Sequence, residues 1–291
     1  MSYGFVPALG TPIDACGRLV AESYERQINM MIDAGAVGLL CMGSMGQQAY
    51  LLDSECVKTA ECAVRAAAKR VPVYVGAMDN SIERTKARFA ALEHLDIDAY
   101  VLLVPYYSID NDAQVMNYFR SVAASTKRGI ILYDLAVVTK YKITYGMLCQ
   151  LRRDIPNLVG IKTADVNMLR LVKNNPDFAG FKCFYSGLDS FDVVYPYGVG
   201  PMLDGMLSCT PKNTKALVEA LDRGDKDSAA KILNAIIDLR NLFVANDLWP
   251  AYTAAMNELG CEGKHGPDWS DDPTDELCAK MRAALAEMGE L

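Results

Sequence analysis

With 291 residues, a net charge of −7, and 22% charged against 51% hydrophobic residues, the chain is composed like an ordinary soluble globular protein, long enough for one large barrel. The acidic balance argues against nucleic acid, which needs a basic face, and makes small molecules the expected partners. Nine scattered cysteines without a C-x-x-C pair, and two distant histidines, His94 and His265, argue against a zinc site and for a reducing cytoplasm. No stretch is apolar enough to span a bilayer, and Met1 to Pro7 lacks a basic segment followed by an apolar core, so the expectation is a cytoplasmic protein with no membrane partner.

Phe5 to Leu9 reads as a strand closed by Gly10-Thr11-Pro12, followed by a helix from Glu22 to Ala34 with Tyr24, Ile28, Met31 and Ile32 at helical spacing. The unit then repeats. Val37 to Met42 is a strand, Gly43-Ser44-Met45-Gly46 a loop, and Asp53 an expected N-cap for a helix to Lys69. Val71 to Ala77 is the third strand, with Ser81 capping a helix to about Leu95. Ala99 to Val104, Gly129 to Tyr133, Leu158 to Thr163 and Lys182 to Tyr185 are the next strands, separated by helices near 113–126, 145–153 and 166–173. Gly205-Met206-Leu207-Ser208-Cys209 is the expected eighth strand, and Thr210-Pro211 opens a helix to Asp222.

Strands that are apolar throughout and alternate with helices are parallel strands buried on both faces. No strand has edge-like polar patterning and no Gly-x-Gly-x-x-Gly turn follows the first, which favours a closed barrel over an open sheet. The expected fold is therefore α/β, a (β/α)8 TIM barrel over residues 1–224. A C-terminal helical extension over residues 225–291 follows it.

The active site of such a barrel lies at the C-terminal ends of its strands. Reading those ends in order gives Thr11 and Pro12, the Ser44 loop, Asp79-Asn80, Tyr106-Tyr107, Tyr133-Asp134, Lys162-Thr163, Ser186-Gly187 and Ser208. One lysine stands among hydroxyls, with neither a histidine or cysteine nucleophile beside a base nor a carboxylate cluster for a metal. An amine at the end of a buried strand is poorly hydrated, which disfavours its ammonium and frees a nucleophile for Schiff-base chemistry. An iminium on Lys162 would let a neighbouring carbon-carbon bond break or form through an enamine, with phenol and alcohol groups moving the protons.

Four motifs occur in order on these strand ends: Gly43-Ser44-Met45-Gly46-Gln47, Val104-Pro105-Tyr106-Tyr107, Ile131-Leu132-Tyr133-Asp134 and Gly160-Ile161-Lys162. Together they resemble the G-[ST]-T-G-E, T-P-Y-Y, I-x-Y-N and G-[IV]-K motifs of the dihydrodipicolinate synthase and N-acetylneuraminate lyase family of pyruvate-dependent class I aldolases. The resemblance implies that Lys162 forms the Schiff base and that Tyr133 shuttles the proton. It implies that Ser44 holds the keto acid's carboxylate and joins the relay, with Met45 contributing its backbone N–H. Tyr107 would complete that relay across a subunit interface in a homotetramer built from tight dimers. No cofactor or metal is implied beyond the covalent imine through Lys162.

Met45 and Gln47 replace the second hydroxyl and the carboxylate of the first motif. The arginine of the family's N-[VI]-P-x-R continuation, which in dihydrodipicolinate synthases binds the second substrate's carboxylate, is absent from Asp134-Leu135-Ala136-Val137-Val138; Lys140 and Lys142 are not bidentate substitutes. Asp134, Asp165 and Asp189 stand where they either bind hydroxyls of a sugar-acid chain or cap helices. Ser208 completes the expected substrate contacts. The expected function is a class I aldolase-type lyase acting on pyruvate or a related 2-oxo acid and an aldehyde, like N-acetylneuraminate lyase or a keto-deoxy-sugar-acid aldolase. The alternatives are a dihydrodipicolinate synthase-like condensation, disfavoured by the missing arginine, a sugar-acid dehydratase using the same imine, and a non-catalytic keto-acid-binding protein.

Overall fold

Apolar runs too short for a helix become the staves of a barrel, because a strand flanked by helices outside and side chains inside can be apolar on both faces. The computed structural model describes residues 3–109 and 111–291, so Met1 and Ser2 of the N-terminal stretch lie outside it. In chain order the elements are β1 (Phe5–Pro7), α1 (Ala21–Asp33), β2 (Leu39–Cys41), α2 (Asp53–Ala67), β3 (Val73–Gly76) and α3 (Ile82–Leu92). Then come β4 (Ala99–Leu103), α4 (Asp112–Ala123), β5 (Gly129–Tyr133), α5 (Ala136–Thr139), α6 (Tyr145–Asp154), β6 (Leu158–Thr163) and α7 (Val166–Lys173). The chain finishes with β7 (Lys182–Tyr185), α8 (Phe191–Val194), β8 (Met202–Asp204), α9 (Pro211–Arg223), α10 (Lys226–Ala245), α11 (Leu248–Glu258) and α12 (Asp275–Glu287).

All strand pairs are parallel, in the order β1-β8-β7-β6-β5-β4-β3-β2. The bridge between Ala8 and Leu40, with Leu9 N–H donating to the Leu40 carbonyl at 3.0 Å, joins the first and last staves. This is a (β/α)8 TIM barrel followed by C-terminal helices. Ile130, Leu132, Leu158 and Ile161 are fully buried. Each such side chain stabilises the fold by roughly 1.5–3 kcal/mol relative to exposure.

Local signals worked where a side chain supplies the cap. Ser81 accepts from Arg84 N–H and starts α3; Asp165 accepts from Met168 N–H and starts α7. One expectation needs correction. Asp53 is the first residue of α2, not its N-cap, which is Leu52 and gives no side-chain bond. Thr210 stands at the N-cap of α9 with Pro211 as the first helical residue, as expected, while its hydroxyl bonds the Met206 carbonyl; Glu290 from the chain's end accepts from Lys212 and Asn213 N–H there.

The larger correction is the eighth strand. Residues 205–209 do not extend; Met206–Cys209 is a buried 3-10 turn, and the strand is Met202–Asp204, paired in register with Phe5–Pro7. A short apolar run bounded by breakers fits a buried turn as well as a strand, and periodicity cannot separate them. The consequence is a different residue at the strand's end.

Candidate active site

Lys162 is the fifth residue of β6, paired with Tyr133 of β5 on one side and Phe184 of β7 on the other. Its residue is 3% exposed, and its Nζ lies 4.0 Å from the centre of the Tyr133 ring. An ammonium there gains cation–π attraction; a neutral amine there is held at the mouth of the barrel. Tyr133 is buried, and its hydroxyl makes no hydrogen bond among the described residues.

Both line a cavity of ≈ 450 Å³ at the strand ends, shared with Ser44, Met45, Asp134, Asp165, Ser186 and Asp204. A larger, more open groove of ≈ 890 Å³ lies outside the barrel, between α1, α9 and the chain's end, and no strand residue lines it. Lys162, Tyr133 and Ser44, the residues expected to carry chemistry, all line the first cavity. Among the described residues no cluster of three His, Cys, Asp or Glu side chains is placed to hold a metal ion.

The loop after β2 is pinned from below. Gly46 has no room for a side chain, since a Cβ would come 2.8 Å from Met42 N and 2.9 Å from the Leu9 carbonyl oxygen. Thr11 Oγ1 donates to the Gly46 carbonyl at 2.8 Å, and Gln47 Nε2 donates to the Thr11 carbonyl at 2.8 Å. Gln47 is thus spent on holding the loop and is buried, leaving Ser44 and Met45 at the cavity.

The aspartates after β5 and β6 share one lysine. Asp134 Oδ2 accepts from Thr163 Oγ1 at 2.7 Å and from Lys142 Nζ, and its Oδ1 accepts from Ile143 N–H at 3.2 Å. Lys142 Nζ is also 3.0 Å from Asp165 Oδ2. Burial disfavours the Lys142 ammonium, but hydrogen bonds to Asp134 and Asp165 outweigh it and raise its pKa; for Asp165, burial is likewise outweighed, by the Met168 N–H and Lys142, and its pKa is lowered. Asp165 is therefore both cap and cavity wall.

Other expected residues fall elsewhere. Asp189 has a side chain 65% exposed, outside the cavity lining, and pairs with Arg240 Nη1 at 2.7 Å, which lowers its pKa. Ser208 is fully buried, donating to the Gly205 carbonyl and sharing a 2.6 Å hydrogen bond with the Tyr252 hydroxyl, so it does not face the cavity. Tyr107 is 88% exposed, and it too stands apart from the lining; Asn80 Oδ1 accepts from the Tyr106 and Tyr107 N–H groups. Sequence reasoning missed Asp204, Arg240 and Leu248 as lining residues. Asp204 was hidden by the misplaced eighth strand, and Arg240 and Leu248 come from C-terminal helices that no strand-end census reaches.

A profile of the Dihydrodipicolinate synthetase family matches residues 1–286. The chain belongs to that family. Among its relatives in the dihydrodipicolinate synthetase family, the 4-hydroxy-tetrahydrodipicolinate synthase of Acidiphilium cryptum (strain JF-5) is 26% identical over 295 residues, covering 100% of both chains. The enzyme of the same name from Neisseria meningitidis serogroup B (strain ATCC BAA-335 / MC58) is 27% identical with the same coverage. The fold is shared with Proteus mirabilis N-acetylneuraminate lyase, at a TM-score of 0.90 and 20% identity over 100% of this chain and 99% of that one. It is shared too with the dihydrodipicolinate synthase of Acinetobacter baumannii, solved with pyruvate, at a TM-score of 0.86 and 22% identity over 100% of both. The family is one of pyruvate-dependent class I aldolase-type lyases.

Proposed function

We propose that this chain binds pyruvate or a related 2-oxo acid as a Schiff base on Lys162 and makes or breaks a carbon-carbon bond to an aldehyde. The observation that carries this is the 4.0 Å approach of Lys162 Nζ to the Tyr133 ring inside a cavity that Ser44 and Met45 also line. The amine adds to the ketone carbon, the carbinolamine loses water, and the iminium gives up a C3 proton to become the enamine that attacks the aldehyde. Tyr133 carries protons between these states. Ser44 and the Met45 N–H hold the keto acid's carboxylate. The reaction draws on no cofactor other than the imine itself.

The aldehyde is best read as a polyhydroxy one. Asp134 and Asp165 stand on the cavity wall with acceptor oxygens, and Lys142, bonded to both, presents little free charge to a second carboxylate. Condensation with aspartate semialdehyde is the second reading, favoured by the name the curated relatives share. Its carboxylate would have to be met by Arg240, whose guanidinium already pairs with Asp189. The reading includes tight dimers paired into a tetramer, which would cover the exposed Tyr107 ring and bring it to the relay.

Borohydride reduction with pyruvate, followed by peptide mapping, tests the imine: the adduct is expected on the peptide carrying Lys162, and its absence there would overturn the proposal. Product analysis with candidate sugar acids then separates a lyase, which frees pyruvate and an aldehyde, from a dehydratase.

A further inference from the structure

Most aspartates at the strand ends are already engaged by cations; after β3, Asp79 holds Arg84. Asp134 and Asp165 hold Lys142, and Asp189 holds Arg240. Asp204 makes no ion pair among the described residues. It ends β8, paired in register with Pro7, and lines the same cavity as Lys162, Tyr133 and Ser44. Met206 N–H donates to its Oδ1 at 2.9 Å; no hydrogen bond to Oδ2 is found among the described residues.

Beside Ser44 in the loop after β2, the next residue toward Asp204 is Met45, not a second hydroxyl. The Met45 side chain lies against Gly205, the next residue, so that wall of the cavity presents a thioether. A thioether cannot give up a proton. Part of the Asp204 surface opens to the cavity, while the protein packed around it raises the carboxyl's pKa by burial. The Met206 N–H and the charges of Lys162 on β6 and Arg240 on α10 oppose that rise, and Asp189 after β7 adds to it. A carboxyl with a raised pKa keeps more of its acid form toward neutral pH.

We propose that Asp204 is a second acid–base group of this site, donating the proton that lets the carbinolamine on Lys162 lose its hydroxyl as water. The C2–O bond breaks, the nitrogen lone pair forms the C=N bond, the Asp204 proton joins the departing oxygen, and Asp204 is left as carboxylate. In hydrolysis the same carboxylate takes a proton from the water that adds to C2. This rests on the Schiff-base reading above and divides its proton transfers: water loss and gain at C2 belong to Asp204, leaving the later steps to Tyr133.

The test is the rate of adduct formation on the full-length protein, followed by quenching pyruvate mixtures with borohydride at increasing times. Asp204→Asn should slow the approach to the plateau by about 10²-fold, at the low end for a lost acid–base group, while the plateau itself, on Lys162, is unchanged. The wild-type rate should fall as pH rises through the carboxyl's pKa, and the Asn variant should lack that limb. Asp204→Gly, which opens space for a small acid, should be accelerated by added formate, a response that a merely structural role would not give. Equal rates in wild type and Asp204→Asn, or a slowed Gly variant indifferent to formate, would overturn the role of Asp204 alone. A wild type that forms no adduct overturns the Schiff-base reading and this proposal with it.

Discussion

Met45 and Gly205 touch across the cavity: a methyl group built onto Gly205 would collide with Met45 Cγ. The loop after β2 and the end of β8 are thus in contact, and the position that resembles a relay hydroxyl holds a polarisable apolar chain instead. If proton transfer has moved to other groups, Met45→Thr will change turnover by less than about tenfold. A rise approaching the ~10² of a restored acid–base group would instead mark a site that has decayed. Steady-state turnover of the two proteins, on whichever sugar acid is cleaved, decides between them.

Lys162→Ala removes the amine that stands 4.0 Å from the centre of the Tyr133 ring. Reductive trapping with pyruvate should vanish while far-ultraviolet circular dichroism stays that of the wild type, since β6 keeps its other buried residues. Aldol turnover near the wild-type level in this variant would sink the imine mechanism.

Tyr133→Phe keeps the ring under Lys162 Nζ but deletes the hydroxyl. Because that hydroxyl bonds no described residue, the fold should lose little, and turnover should fall by about 10²- to 10⁴-fold with pyruvate still trapped. An unchanged rate would remove Tyr133 from proton transfer.

Lys142→Met leaves Asp134, whose side chain is 3% exposed, with only Thr163 and the Ile143 N–H. Loss of stability on the order of 1–2 kcal/mol is expected, less than for a fully buried pair because Lys142 is itself 42% exposed and screened. The lowered pKa of Asp165 sets the sign with pH. Its contribution is complete above the ordinary value of 3.8 and is lost as pH falls through the lower folded value, so the two proteins should converge in acid. Urea midpoints at pH 7 and pH 3 measure this, and a constant gap would contradict it.

His265 is fully buried, with Nε2 2.8 Å from the Cys261 carbonyl and Nδ1 unpartnered, and burial lowers its pKa to about 4. The unfolded chain binds the proton first, at the ordinary value of 6.5. Stability is therefore complete above that value and declines as pH falls toward 4, by on the order of 3 kcal/mol. His265→Asn should be less stable at pH 7 yet flatter between pH 7 and 5 in denaturant titrations. The same slope in both proteins would assign the acid sensitivity to other groups.

The sequence by itself determined the barrel, the family and the place of Lys162, Tyr133 and Ser44. These depend on local signals: apolar runs of strand length, breakers between them, and short motifs whose residues act from the strand that carries them. It could not separate the two uses of an aspartate after a strand, because capping and substrate contact begin with the same residue; Asp165 does the first while standing at the cavity wall. Nor could it find Asp204 or dismiss Ser208. Whether Met202–Asp204 or the next five residues form the last strand depends on pairing with β1, nearly two hundred residues away, and no local pattern encodes that register. Arg240 reaches the cavity by the packing of α10 against the barrel's end. Contacts between elements far apart in the chain are made by burial of complementary surfaces, and only the folded chain shows which surfaces those are.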